Sequence, residues 1–317
     1  MPTSTLKNKI IGITMGDPSG IGPEVVAKAL SNPLIYPLAR FKIIGNKEIY
    51  KQYVQKLSPN CSFIHAGDLS LSRWKSGCVN PLSGADSLMY LEKAVRLLKN
   101  KGIDALVTAP VSKEAIARVN PSFVGHTEFL ARSWDIKNVG MMFVSDALRA
   151  VLATRHIPLK EVSNTLNRHL IFETIQLTYT ALQEFFKIKN PVIAVCGLNP
   201  HAGENGLLGK EEIKKIIPAI KKAQKRKWRV EGPFSADSLF IPSIVKRYDA
   251  VVAMYHDQGL IPIKTLFSPK LVNLTIGLPF IRTSPAHGTA FDIAGKNMAD
   301  CSSMREAIKL AVALSNS

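Results

Sequence analysis

The chain has only four cysteines, Cys61, Cys78, Cys196 and Cys301, and no two of them stand in CxxC spacing. That excludes a disulfide framework or a thiolate zinc cluster as the basis of the fold and leaves the thiols reduced and structural. Long apolar runs are missing too. The longest, such as DAVVAMY at 249–255, have strand length, far short of the roughly 20 residues needed to cross a bilayer. The first fifteen residues carry no secretory-signal pattern, so a cytoplasmic location without a membrane partner is expected. Linkers rich in Pro, Gly or Ser, low-complexity tracts and internal repeats are absent, so any domain boundary is crossed by ordinary elements. Acidic residues are the scarce charge: 24 Asp and Glu stand against 41 Lys and Arg, a formal +17 over 317 residues. This balance suits anionic ligands. The densest basic stretch, KKIIPAIKKAQKRKWR, has apolar residues at helical spacing and reads as a helix with a solvated basic face. No RNA- or DNA-binding motif accompanies it, so no nucleic-acid partner is expected.

What is present is alternation. Short apolar runs (KIIGITM, FKIIG, IDALVTAP, LRAVLAT, PVIAVCGL, DAVVAMY, LVNLTIG) are interleaved with helical patterns such as GADSLMYLEKAVRLLKN, HIPLKEVSNTLNRHL and GKEEIKKIIPAIKKAQ, and a helix near SSMREAIKLAVAL follows. Such a chain predicts an α/β fold with largely parallel sheets. Glycine, proline and small polar residues gather between the runs, in GDPSGIGPE, NPLSG, TAPVSK, NPHAGENG, YHDQG and RTSPAHGT. Ligands of open α/β sheets bind beyond the carboxyl ends of the strands, so the chemistry is expected in these loops.

Three of the seven histidines fall there. His156 follows LRAVLAT, His201 follows PVIAVCGL and His256 follows DAVVAMY, each within a few residues of a strand end. One such histidine is usually structural; three in equivalent places point to a shared divalent metal, because neutral imidazole is a ready ligand. Asp257 and Glu204 stand where each can orient an imidazole, or cap the next helix. In GHTEFLA, His126 and Thr127 open a predicted helix, where backbone N–H groups favour a phosphate or carboxylate, though Thr127 also suits plain capping. Lys264, Asn273 and Arg282 interrupt the apolar segments IPIK, LVNLTIG and FIRTSP; a charge buried there requires an anion or carboxylate partner. GDPSGIGPE is not GxGxxG, so it does not signal a Rossmann site, and a glycine turn leading into Pro23 explains it.

Taken together, ITMGDPSGIGPE, GHTEFLA, NPHAGENGLLGKEE, YHDQGLIPIK and VNLTIGLPFIRTSPAHGTAFDIAGK closely resemble the 4-hydroxythreonine-4-phosphate dehydrogenase family of pyridoxal phosphate (vitamin B6) biosynthesis, along essentially the whole chain. The resemblance implies a two-domain isocitrate/isopropylmalate dehydrogenase-like fold, mostly parallel sheets with helices on both faces and an active site in the interdomain cleft. Its first domain would span 1–130 plus 265–317 and its second 131–264. It implies metal ligands at His156, His201 and His256, shared across a homodimer with His256 serving the partner's site, and substrate contacts at His126, Thr127, Lys264, Asn273 and Arg282. By similarity to the wider superfamily, His287, Gly288 and Asp292 would line the NAD or NADP site. Lys264, Asp237 and Asp257 remain open as the general base. The implied activity is metal-dependent oxidation, with Zn, Mg or Co, of a small phosphorylated hydroxy amino acid, followed by decarboxylation to 3-amino-2-oxopropyl phosphate. Three rivals stay in view: a sibling acting on threonate or erythronate 4-phosphate, a metal-dependent phosphohydrolase, and a basic nucleic-acid-binding protein.

Overall fold

A computed structural model describes residues 9–267 and 270–316. Its main elements run β1 (Ile10–Thr14), α1 (Gly22–Leu30), β2 (Arg40–Gly45), β3 (Cys61–His65), α2 (Pro81–Lys99), β4 (Ala105–Thr108), α3 (His126–Ser133), β5 (Gly140–Val144), β6 (Arg149–Leu152), α4 (Arg168–Glu184), β7 (Val192–Cys196), α5 (Ile217–Gln224), β8 (Arg229–Phe234), β9 (Ala250–Ala253), α6 (His256–Phe267), β10 (Val272–Ile276), β11 (Ile281–Pro285) and α7 (Ser302–Ser315), with shorter helical turns between them. The chain forms two compact units. It leaves the first after Lys137 and returns to it at Leu278, later at both crossings than the expected 130 and 265. Among the described residues no helix is long and apolar enough to cross a membrane.

In the first unit the strand order is β3-β2-β1-β4-β11, and the pairings are parallel. The apolar runs that read as strands are its centre: Ile11, Ile13, Phe41, Ile43, Leu106 and Val107 are buried. α2 begins where Asn80 accepts the Leu82 N–H at 2.9 Å, with Pro81 suited to the first helical position. α7 is tied to β11 by Thr283 Oγ1 donating to the Ala307 carbonyl at 2.8 Å.

In the second unit the order is β10-β5-β6-β9-β7-β8. β10 with β5 and β5 with β6 are antiparallel, and the rest are parallel. Its core joins Ile171, Ile175 and Leu182 of α4 to Ile193, Val195 and Val252 of the sheet and Ile220 of α5. The two units together are the mostly parallel α/β build expected from the sequence.

Proline explains where helices are shorter than the apolar spacing predicts. The stretch from Glu212 opens as a π turn over Glu212–Ile216 before α5. Pro218 has no N–H for the Lys214 carbonyl, which accepts instead from Arg168 Nε at 2.8 Å. Pro242 likewise splits ADSLFIPSIVKRY into the turns Ala236–Leu239 and Pro242–Val245. The segment containing IPIK, in contrast, lies within α6 despite Pro262, and Lys264 is exposed there rather than buried.

Candidate functional site

Parallel register decides which residues meet. In the second unit Leu152 of β6 pairs with Ala253 of β9, and Val252 with Val195 of β7, so three strands end at one edge. Beyond that edge Thr154 donates twice to the Met254 carbonyl, from N at 3.1 Å and from Oγ1 at 2.7 Å. Two residues further along each chain segment, His156 and His256 face each other with ring centres 5.8 Å apart. Asp257 Oδ1 lies 2.7 Å from His256 Nδ1, a contact that fixes the ring through that nitrogen.

His201 stands apart from this pair. Among the described residues no three His, Cys, Asp or Glu side chains converge on one point as metal ligands. His201 begins a run of left-handed backbone, with φ of 51° at His201, 51° at Ala202, 84° at Gly203, 44° at Glu204 and 53° at Asn205. Four of these are not glycine, and each such residue costs about 1–2 kcal/mol, so the turn exists only because its surroundings impose it. The exposed Asp237 is near enough to His201 to feel its charge; its carboxyl is held below the usual range first by the Ser235 hydroxyl and then by the Ser238 backbone N–H. Glu204 lies within the left-handed run and caps no following helix there. Lys264 is exposed on α6, whereas Asn273 is buried on β10 with Oδ1 unpartnered among the described residues.

The first unit carries a cationic grip. Arg282 is 2% exposed, yet nothing apolar neutralises it: its Nε and Nη2 donate to Thr108 Oγ1 at 3.2 and 2.6 Å, and Glu128 adds attraction. Burial pushes the guanidinium down to about 10, which leaves it charged at neutral pH. His126 is held well below its ordinary value by desolvation, then by the Arg282 and Lys113 charges, so its imidazole is neutral. Its Nε2 is closed from solvent and has no hydrogen-bond partner among the described residues. α3 begins at His126 behind Gly125, and no side chain caps it; Thr127 is buried inside the first turn rather than capping. An uncapped helix start, a neutral imidazole and a buried guanidinium are together suited to an anion. Sequence reading missed Thr108 and Lys113, although both lie in or beside the TAPVSK loop it had marked.

The GDPSG turn, read from sequence as an ordinary glycine turn, abuts the proposed nucleotide loop within this unit. Ile21 N donates to the Thr289 carbonyl at 2.9 Å, and a Cβ on Gly20 would sit 3.0 Å from Thr289. Beside Thr289, a Cβ on Gly288 would meet nothing within 4 Å, and His287 Nε2 is buried without a partner among the described residues. Asp292 is exposed on the same loop.

Strand ends that deliver imidazoles, and a buried cationic grip, are the equipment of an α/β enzyme acting on a small anion. Residues 23–311 match the model of the family described as pyridoxal phosphate biosynthetic protein PdxA, and the chain belongs to that family. It is 42% identical over 321 residues to the 4-hydroxythreonine-4-phosphate dehydrogenase of Desulforapulum autotrophicum, covering 95% of this chain and 94% of that one. It is also 42% identical over 327 residues to a protein of Oceanobacillus iheyensis with the provisional name D-threonate 4-phosphate dehydrogenase, covering 97% and 98%. The solved 4-hydroxythreonine-4-phosphate dehydrogenase of Klebsiella pneumoniae superposes with a TM-score of 0.88 at 34% identity, over 99% of this chain and 100% of that one.

Proposed function

We propose that the chain is a metal-assisted, NAD- or NADP-dependent dehydrogenase that oxidises 4-phosphooxy-L-threonine and releases carbon dioxide to give 3-amino-2-oxopropyl phosphate, in pyridoxine 5'-phosphate biosynthesis. The observation that carries this reading is the His156–His256 pair in a chain of this family. Imidazoles about 2.0–2.1 Å from one tetrahedral ion place their ring centres roughly 5 Å apart, so the 5.8 Å separation fits a shared ion. Together with His201, and shared across a homodimer, these two histidines would make up the three-imidazole set. A homodimer is supported by exposed apolar side chains flanking the histidines: Ile157, Leu159, Leu207, Leu208, Ile261 and Leu266.

His156, His201 and His256 would hold a Zn, Co or Mg ion, which would supply Lewis acidity to the substrate hydroxyl when bound. The chain's own residues do the rest. Arg282, His126 and the α3 N-terminus anchor the anionic end of the substrate, with Thr127 in the same first turn; Lys264 and Asn273 are further candidate substrate contacts. Binding energy from that anchor is available to orient the reacting carbon. Asp257 orients His256, and the general base is drawn from Lys264, Asp237 and Asp257. His287, Gly288 and Asp292 receive the dinucleotide, for which the open space at Gly288 and the unpartnered His287 Nε2 are suited.

A second reading, oxidation of D-threonate 4-phosphate, is favoured by the equal 42% identity to the Oceanobacillus protein. The test is reduced-nicotinamide formation with each substrate, before and after chelation and with Zn, Co or Mg restored. The expected result is turnover of the amino substrate that is lost with the metal and regained with it. Full-rate turnover of chelated protein would overturn the metal site, and preference for the hydroxy acid would select the second reading.

A further inference from the structure

We infer that Glu212 and Gln258 are positioning residues for the metal-binding imidazoles, an inference that rests on the proposed metal site. The left-handed run at His201 is too strained to hold itself, and Glu212 occupies its inner side. This carboxylate is 2% exposed and accepts three N–H groups: Leu198 N and Asn199 N on Oε1 at 2.8 Å each, and Asn199 Nδ2 on Oε2 at 2.9 Å. Gly203 leaves room for it, since a Cβ there would lie 2.5 Å from Glu212 Oε2. Asn199 is braced again by Glu211 Oε2 at 2.9 Å, and Glu211 Oε1 accepts from Ser163 Oγ. The backbone leading into His201 is thereby fastened to one buried side chain, which packs against Gly203 on the far side.

Gln258 links this turn to the other imidazole segment. Its Oε1 accepts the Met254 N–H at 2.7 Å, two residues before His256, and its Nε2 donates to the Gly197 carbonyl at 2.7 Å, at the base of the His201 turn. One amide therefore spans the end of β9 and the end of β7. Hydrogen bonds made directly to metal-ligating side chains are worth about 10–100-fold in metal affinity, and bonds that fix the backbone carrying the imidazoles act in the same direction.

The experiment uses Glu212→Gln and Gln258→Met in the full chain. The glutamine turns an N–H₂ toward Asn199 Nδ2, and the methionine keeps the shape while removing both hydrogen bonds. Co²⁺ alone is titrated into metal-free protein, read by competition with a chromophoric chelator and by the metal-induced rise in Tm, with inorganic phosphate binding and metal-free circular dichroism as controls. The expected outcome is a roughly 10–100-fold weaker Co²⁺ midpoint with phosphate affinity and the metal-free spectrum unchanged. Wild-type midpoints in both variants would overturn the inference, as would variants whose metal-free form is already unfolded, which marks a purely structural role. Absence of any Co²⁺ response in the wild type removes the metal site itself, a distinct failure.

Discussion

Asp17 offers a quantitative test of how the first unit is held together. It is fully buried in the GDPSG turn, with Oδ1 accepting the Ser19 N–H at 2.8 Å, its own N–H donating to the Pro110 carbonyl at 2.8 Å, and Oδ2 unpartnered among the described residues. Desolvation pushes its carboxyl from 3.8 up to about 6, against the lowering effect of the Ser19 and Ser112 backbone N–H groups. Because the folded value is raised, the stability this group contributes is fully present below the unfolded value near 3.8 and is lost as pH rises through about 6. A shift of roughly two units corresponds to about 3 kcal/mol, of which about 2 kcal/mol is lost between about pH 4 and about pH 7. Asp17→Asn keeps the Oδ1 acceptor and removes the titration. The variant should gain about 2 kcal/mol relative to wild type between those two pH values. The assay is urea unfolding followed by fluorescence of Trp74, whose Nε1 donates to the Pro18 carbonyl at 2.9 Å, in a chain with Trp134 and Trp228 replaced by Phe. A stability difference that stays constant with pH would refute a desolvated, protonatable Asp17.

Two further predictions concern the anion grip. Arg282→Ala removes the buried guanidinium that donates to Thr108 Oγ1 and should raise KM for the phosphorylated substrate by about 10–100-fold, since charged hydrogen bonds contribute about 1.5–3 kcal/mol; unchanged kcat/KM would remove Arg282 from the site. His126 is kept neutral by desolvation and by Arg282 and Lys113, and a bound dianion offsets those two charges, so binding is coupled to proton uptake. Sulfate, whose own charge is constant, should bind more tightly as pH falls below the ordinary histidine range, and His126→Gln should flatten that dependence in isothermal titration; a parallel pH profile in the variant would sink the coupling.

Much of the layout was legible because it follows from local periodicity. β2, β4, β6, β7, β9 and β10 lie on the apolar runs named from sequence, and the strand-end position of His156 and His256 followed from them. Legibility failed where a single residue overrides the period. Pro218 and Pro242 break helices whose apolar spacing is continuous, and Lys264 sits in an apolar stretch but faces solvent once that stretch is helical. It also failed where a partner is distant in sequence. Arg282 was recognised as a charge needing an acceptor, but Thr108, 174 residues away, becomes its acceptor only because β11 pairs with β4. Nothing in NPHAGENG announces a left-handed turn except its glycines, because the residue that enforces it, Glu212, lies on the following helical segment.

The scarcity of acidic residues turns out to matter more than the excess of basic ones. The buried carboxylates among the described residues, Asp17, Glu24, Asp86 and Glu212, each accept from a backbone N–H of a loop. Asp86 takes Asp68 N at 2.8 Å and Leu69 N at 3.2 Å together with the Tyr90 hydroxyl, and Glu24 takes Ala299 N at 2.8 Å while pairing with Lys28. Among these carboxylates of the described residues, Glu24 alone pairs with a cation, so the acids are not placed to balance the +17 charge. They are placed where a loop would otherwise leave N–H groups unsatisfied out of water, which costs more than most surface ion pairs return. Two of those loops, GDPSG and NPHAGENG, abut or contain proposed ligand contacts. In a chain of this charge, the acids beside glycine-rich loops therefore identify the segments whose conformation must be imposed, and surface lysines identify very little.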